Sequence, residues 1–93
     1  MIKIQIVSMP DCAHCEHATR VLREEIKREF PEVKIESVSA LSEEGMQLVQ
    51  KYAIMTSPGI IINGRLFSTG ELDRERLSAE LRRLASKSRG TVG

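Results

Sequence analysis

The chain of 93 residues contains no tryptophan, one tyrosine and two phenylalanines. It therefore offers almost no aromatic rings on which nucleic-acid bases could stack. An excess of one charge is also lacking, since 14 Lys and Arg balance 13 Asp and Glu to a formal net charge of +1. No strong field is then available to attract nucleic acid or an anionic membrane surface. We expect neither of these among the partners of the protein.

Long apolar runs are missing as well. The first ten residues, MIKIQIVSMP, alternate apolar and polar side chains, and no run approaches the length of a signal-peptide core or a membrane span. We therefore expect a cytoplasmic protein, and we also expect a monomer. The chain has no internal repeat or linker and is long enough for one core only. We predict a single domain over residues 1–86 and a flexible tail over residues 87–93.

Cysteine is scarce, and both copies lie together in the segment MPDCAHC as Cys12 and Cys15. Such a pair is interpretable as a redox centre, as two metal ligands or as a structural staple. A staple is the least favoured, because it would close a very short loop and stabilise little. In a reducing compartment a CxxC motif is more often catalytic or metal-binding.

The first part of the chain has the pattern of a strand–helix–strand unit. Apolar residues alternate over residues 2–7, which predicts a strand. Apolar residues then follow helical spacing from about residue 12 to residue 29, and Pro31 ends that helix. Alternation returns at residues 33–38, a second strand that should run parallel to the first through a right-handed crossover.

A second helix is expected to begin after Ser42, a plausible N-cap, and to end near Tyr52. Its spacing places Met46, Val49 and Ala53 on the inward face.

The remaining pattern predicts a hairpin and a last helix. The run IIIN is typical of a central strand buried on both faces, and the Asn-Gly pair at 63–64 joins it to an antiparallel strand, RLFS. Asp73 is a suitable cap for the last helix. The resulting order, β-α-β-α-β-β-α, describes an α/β domain in which a four-stranded mixed sheet is flanked by three helices.

The position of the cysteines favours thiol chemistry. Cys12 falls in the first turn of the first helix, where unpaired backbone N–H groups and the helix dipole favour a thiolate. Cys15 follows one turn later along the apolar stripe. We therefore predict that Cys12 is the nucleophile that attacks a disulfide and that Cys15 resolves the mixed disulfide. His14 would stabilise the thiolate as a cation or hydrogen-bond donor, whereas the carboxylate of Asp11 would oppose it.

Two alternatives come from other classes of protein. Cys12 and Cys15, with His14 and His17 nearby, offer soft and borderline ligands for a copper or zinc carrier. One helical turn hardly permits the four ligands of a structural zinc site, so we assign no metal ligand. The second alternative is a non-catalytic interaction domain that docks an acidic partner. Its candidate surface is formed by six basic residues, at positions 74, 76, 82, 83, 87 and 89, although a solvated helix face explains them more simply.

Two motifs carry a resemblance to a known family. CAHC after the first strand and KYAIMTSPGIIINGRLFSTGEL downstream make residues 2–86 resemble the small thioredoxin-like and glutaredoxin-like thiol-disulfide oxidoreductases. The resemblance implies a thioredoxin-like fold and electron exchange with protein or small-molecule disulfides. It also implies a reductase as electron donor and no cofactor beyond a Cys12–Cys15 disulfide.

The same resemblance implies roles for a downstream pair. Pro58 would be a cis-proline packed against the disulfide, and Ser57 would offer its backbone to an extended substrate. The turn STGELD at residues 68–73 resembles only loosely the glycine turn with which glutaredoxins bind glutathione. Glutathione is therefore the less favoured substrate.

Overall fold

Four strands form one sheet in the computed structural model, which describes residues 2–89 and the side chains of residues 2–86. The strands are β1 (Lys3–Ser8), β2 (Lys34–Ser39), β3 (Gly59–Ile62) and β4 (Arg65–Thr69), in the spatial order β2-β1-β3-β4. β2 is parallel to β1, whereas β3 is antiparallel to both β1 and β4. The predicted mixed sheet is confirmed, with strand bounds within a few residues of the predicted ones.

Three helices flank the sheet. The first is α1 (Ala13–Arg20), which continues through a π-helical segment (Val21–Ile26) into a last turn, α2 (Lys27–Glu29). The others are α3 (Glu43–Tyr52) and α4 (Arg74–Arg89). The predicted element order is confirmed. The π-helical segment was not predicted, because apolar spacing alone does not separate a slightly wider turn from an α-turn.

The larger part of the core lies between the sheet and the helices α1 and α4. Alternate residues of a strand point to opposite faces, so Ile4 and Ile6 of β1 share this side with Ile60 of β3. They pack against Leu22 beyond α1 and Leu77 of α4, all fully buried. This packing holds the beginning of α1 against the end of β1.

The opposite face of the sheet is covered by α3. Val7 and Ile61 form a smaller cluster there with Ile54, against which Val49 and Tyr52 of α3 pack. With both faces covered, all four residues of β3 are buried, as the apolar run predicts.

The two ends of α3 have distinct caps, and its predicted inward face is partly wrong. Ser42 is the N-cap, since its hydroxyl accepts a hydrogen bond from the Gly45 N–H at 3.0 Å. Ala53, predicted to lie on the inward face, is instead exposed, because it ends the helix in the left-handed conformation at φ 52°. Met46 is 51% exposed rather than inward, because it lines an open groove, described below, that the core does not fill. Val49 packs on the smaller cluster as predicted.

The hairpin between β3 and β4 turns at Asn63 and Gly64. Both have positive φ, 49° and 80°, which the Asn-Gly pair adopts readily. The Tyr52 hydroxyl donates a hydrogen bond of 2.6 Å to the Gly64 carbonyl and ties the turn to the end of α3.

The described basic residues of α4 make contacts within the chain. Three arginines pair with carboxylates and a fourth lies over an aromatic ring: Arg74 with Glu25, Arg82 with Glu29, Arg83 with Glu80, and Arg76 over Phe67. The side chains at positions 87 and 89 lie outside the described ones. The four arginines thus already have partners within the chain.

The end of α4 passes the predicted domain boundary. The helix continues to Arg89, three residues beyond residue 86, and residues 90–93 lie outside the described part of the chain. The flexibility of the tail stays a prediction. Within residues 2–89 no helix has the length and apolarity needed to span a membrane.

Candidate active site

The CxxC motif lies where β1 gives way to α1. Asp11, in the left-handed conformation at φ 55°, turns the chain so that Cys12 becomes the N-cap of the helix. The Cys12 sulfur accepts a hydrogen bond from the backbone N–H of Cys15 at 3.1 Å. This N–H belongs to the first helical turn, where backbone donors have no partner within the helix.

Cys12 and Cys15 form a disulfide, with their Cα atoms 5.2 Å apart. Their surroundings differ. Cys12 is half-buried, whereas Cys15 is only 2% exposed and belongs to the apolar side of the helix. One sulfur is therefore partly accessible, and the other is enclosed.

A second segment, 45 residues further along the chain, meets this disulfide. The Ser57 hydroxyl oxygen lies 3.5 Å from the Cys12 sulfur. The Ser57–Pro58 peptide bond is cis, the isomer that the family resemblance implies, and Pro58 is buried. The Pro58 carbonyl accepts a hydrogen bond from the Gly70 N–H at 2.9 Å, which anchors this loop to the segment after β4.

The two residues expected to tune the thiolate are both exposed. Asp11 precedes Cys12 and His14 follows it by two positions. Among the described residues, neither side chain donates to or accepts from a cysteine sulfur. Any influence of these groups on the thiolate is therefore an influence of charge through space rather than of a hydrogen bond.

No carboxylate or imidazole is buried beside the disulfide in the described part of the chain, where Ser78 is the sole buried polar side chain. The acidic residue beside the middle of β1 is Glu36, which lies opposite Gln5 on the neighbouring strand β2. Its pKa is lowered, mainly because the Gln5 amide donates a hydrogen bond of 3.0 Å to it. Glu36 therefore stays ionised near neutral pH and does not store a proton for the thiols.

A groove of about 450 Å³ opens beside Ser57, on the side of the sheet that α3 covers. Its walls hold all the methionines except Met1: Met9 at 42% exposure, Met46 at 51% and Met55 at 89%. The rest of the lining is uncharged, and comprises Val7, Ala40, Val49, Gln50, Ile54, Thr56 and Ser57. Sequence reasoning missed this groove. The available signal was the placement of three methionines in or next to the predicted helix ends.

Cys15 also lines a smaller cavity of about 360 Å³ on the other side of Met9. Glu16 and Glu24 contribute to its walls. The Thr19 hydroxyl donates to the Cys15 carbonyl at 2.8 Å and holds the turn below the sulfur. Arg20 and Arg23 line the same cavity, so Cys15 lies against a space that contains charged groups of both signs.

Metal ligation was the sharpest alternative use of the two cysteines. Over the described residues, no three or more His, Cys, Asp or Glu side chains converge in a way that could hold a metal ion.

Comparisons with known proteins give the chain a family. A family model for the thioredoxin domain matches residues 2–82. A thioredoxin from Methanocaldococcus jannaschii is 36% identical over 77 residues, which cover 82% of this chain and 87% of that protein.

Solved structures agree with this match at the level of the fold. The thioredoxin of Trypanosoma brucei brucei superposes with a TM-score of 0.71 at 24% identity, over 92% of this chain and 76% of that one. A chain from the complex of ferredoxin:thioredoxin reductase with thioredoxin f2 gives a TM-score of 0.70 at 15% identity, over 91% of this chain and 78% of its own. The predicted resemblance and fold are confirmed. The chain belongs to the thioredoxin family of thiol-disulfide oxidoreductases.

Proposed function

We propose that Cys12 is the nucleophile and Cys15 the resolving thiol in electron exchange with disulfides of proteins or small molecules. The observation that carries this assignment is the unequal shelter of the two sulfurs. Cys12 is half-buried at a helix N-terminus with a backbone donor at 3.1 Å, whereas Cys15 is 2% exposed. The N-terminal donor and dipole favour the thiolate form of Cys12, and only that sulfur faces a substrate.

The reaction proceeds by two displacements. The Cys12 thiolate attacks one sulfur of the substrate disulfide, so that a mixed disulfide forms and the other substrate sulfur leaves as a thiolate. Cys15, deprotonated, then attacks the Cys12 sulfur and releases the second substrate thiolate. Two electrons pass to the substrate, the Cys12–Cys15 disulfide forms, and the two protons of the original dithiol end on the two substrate thiols or in water.

The groove beside Ser57 is the proposed place for the substrate segment next to the attacked sulfur. Within residues 2–89 the backbone N–H and carbonyl of Ser57 have no hydrogen-bond partner. They are therefore available to an extended chain that adds along the loop. Methionine side chains adapt to different neighbours, which suits a groove that accepts varied apolar residues.

Asp11 and His14 are proposed to tune the Cys12 thiolate in opposite directions. Both are exposed on segments adjoining Cys12. A positive imidazole favours the thiolate and a carboxylate disfavours it. The balance between the two sets part of the reduction potential.

A reductase is the proposed electron donor, and the compartment is proposed to be the reducing cytoplasm. Support for the donor comes from the structural neighbour found in a complex with ferredoxin:thioredoxin reductase. No cofactor beyond the disulfide is required by the two displacements. Glutathione is not favoured, because it carries two carboxylates and the groove lining offers no cation.

The test is reduction of insulin with dithiothreitol as electron donor. The unaltered chain should accelerate precipitation of the insulin B chain, and Cys12→Ser and Cys15→Ser should each reduce turnover to the uncatalysed rate. Ala79→Ser, on the exposed face of α4, serves as the matched control and should retain full activity. Turnover by Cys12→Ser at the unaltered rate would contradict the proposal and favour a non-catalytic role.

A further inference from the structure

We infer that the Ser57 hydroxyl donates a hydrogen bond to the Cys12 thiolate and is a catalytic residue of this site. The inference rests on the proposed role of Cys12 as the nucleophile. It assigns to the Ser57 side chain a role distinct from the backbone contact with substrate proposed above.

The direction of the contact follows from the chemistry of the two atoms. The Cys12 sulfur in the disulfide carries no hydrogen, so in the 3.5 Å contact only the Ser57 hydroxyl is able to donate. Both residues are half-buried. Partial exclusion of water strengthens such a bond relative to one formed in bulk solvent.

Reduction of the disulfide increases the importance of this contact. A disulfide sulfur is a weak acceptor, whereas a thiolate is charged, and hydrogen bonds to charged acceptors are roughly twice as strong as neutral ones. The thiolate would receive two donors, the Cys15 backbone N–H at 3.1 Å and the Ser57 hydroxyl. The hydroxyl keeps its hydrogen throughout, so no atom or electron is transferred through Ser57.

Two consequences follow for the chemistry. A donor that binds the thiolate better than the thiol increases the thiolate fraction of Cys12. A donor that binds the reduced form better than the disulfide also makes the pair a stronger oxidant. Removal of the hydroxyl should reverse both.

Charged and titratable groups near the sulfur contribute independently of this hydroxyl. The loop that contains Ser57 and Pro58 carries no titratable side chain between positions 56 and 58. The titratable residues on the adjoining segments include Asp11, His14, Cys15, Glu16 and His17 around the start of α1. They also include Glu71, which follows the glycine that binds the Pro58 carbonyl. All remain in every variant below, so the comparison isolates the hydroxyl.

The test uses four variants of the full chain: Ser57→Ala, Ser57→Val, Ser57→Thr and Thr69→Val. Valine and threonine have nearly the same shape, so only the hydroxyl separates them. Thr69→Val controls for the loss of a hydroxyl at an exposed side chain that does not line the groove. The rate of alkylation of the reduced protein by iodoacetamide is measured against pH, and mass spectrometry identifies the alkylated cysteine.

Ser57→Ala and Ser57→Val should raise the midpoint of the Cys12 titration by about one pH unit. This corresponds to about tenfold less thiolate at any pH well below the midpoint. Ser57→Thr and Thr69→Val should retain the original midpoint. In Ser57→Ala and Ser57→Val, the equilibrium constant of the Cys12–Cys15 pair with glutathione should shift about tenfold towards the disulfide. This corresponds to a reduction potential lower by about 30 mV.

Unchanged midpoints in Ser57→Ala and Ser57→Val, with alkylation at Cys12, would overturn the role of Ser57 alone. Equal shifts in Ser57→Val and Ser57→Thr would also overturn it, because the effect would then be one of shape. Alkylation at Cys15 before Cys12 would overturn both this role and the assignment of the nucleophile.

Discussion

Cys12 and Cys15 have the same side chain but different surroundings. At the N-terminus of α1, Cys12 is half-buried and hydrogen-bonded to a backbone N–H, whereas Cys15 is enclosed by the apolar side of the helix. A helix of 3.6 residues per turn brings positions three apart close together but at different depths below the surface. One turn of helix thus places one sulfur near the surface and encloses the other.

Asp11→Asn and His14→Ala should change the Cys12 thiolate in opposite directions. Loss of the carboxylate should increase the thiolate fraction about two- to fivefold, and loss of the imidazole should decrease it by a similar factor, as is usual for exposed charges. The iodoacetamide titration described above measures both. Because the groups are exposed, added salt should shrink each effect.

The control for these charges is Glu44→Gln, an exposed carboxylate on α3. It should leave the titration unchanged. A shift of the same sign in Asp11→Asn and His14→Ala, or shifts that do not respond to salt, would contradict a through-space effect of charge.

Not every residue of the site could be predicted from the sequence. The CxxC motif and the change from strand to helix periodicity were enough to place Cys12 and Cys15 at the start of the first helix. The contact between the Ser57 hydroxyl and Cys12 depends on tertiary packing across 45 residues, and no local pattern indicates it. Family resemblance identified Ser57 only for its backbone.

At the scale of the elements, the end of α3 determines where the loop before Pro58 begins. Ala53 ends this helix in the left-handed conformation, and its N–H lies 3.4 Å from the Gln50 carbonyl. The Ile54 N–H then donates to the Val49 carbonyl at 3.0 Å, and the Ile54 side chain enters the smaller cluster. The chain is thereby directed across the sheet towards Ser57.

Ala53→Gly should stabilise the protein. A non-glycine residue in the left-handed conformation costs about 1–2 kcal/mol, and glycine removes this cost. Glycine is also more flexible in the unfolded chain, which offsets about 0.5–1 kcal/mol of the gain. We expect the free energy of unfolding to rise by about 0.5–1 kcal/mol in equilibrium urea denaturation of the disulfide form.

Ala79→Gly is the matched control, because Ala79 is exposed within the helix α4. The same substitution should there lower the free energy of unfolding by about 1 kcal/mol. Destabilisation of similar size at both positions would show that the strain at Ala53 does not limit stability.

Element types were predictable because each has its own period and its own terminal residues. The predicted caps and turn are confirmed: Ser42 caps α3, and the Asn-Gly pair forms the hairpin turn. Asp73 caps α4 by accepting a hydrogen bond from the Arg76 N–H at 3.1 Å. The inward position of Met46 was wrong for a physical reason. Helical spacing indicates which residues share a face of the helix, but not how much of that face packs on the sheet.

The whole molecule brings three separate segments together at one end of the sheet, where β1 ends. The end of β1 carries the CxxC motif, the loop after α3 carries Ser57 and Pro58, and the segment after β4 holds that loop through Gly70. This arrangement is built on β3, a central strand that is buried on both faces. The methionine groove forms only when β1, α3 and the loop are assembled, which explains why the sequence did not predict it.

Met55→Asp tests whether the groove binds the substrate chain. Met55 is 89% exposed, so stability should change little, but a buried carboxylate against an apolar substrate segment should lower kcat/KM for insulin about tenfold. Reduction of 2-hydroxyethyl disulfide, which is small and neutral, should proceed at the original rate.

Leu41→Asp provides the comparison at a second exposed apolar side chain that does not line the groove. It should retain full kcat/KM for both substrates. Equal losses with insulin in Met55→Asp and Leu41→Asp would indicate a general effect of added negative charge and would contradict a docking role for the groove.

The most direct test of the assignment compares the reactivity of the two thiols one at a time. Cys15→Ser leaves only Cys12, and Cys12→Ser leaves only Cys15. Each reduced variant is mixed with Ellman's reagent, and release of the thionitrobenzoate anion is followed in time. We predict that Cys15→Ser reacts on the order of 100-fold faster than Cys12→Ser, because its remaining thiol is accessible and stabilised as a thiolate. Equal rates, or a faster reaction of Cys12→Ser, would contradict Cys12 as the nucleophile.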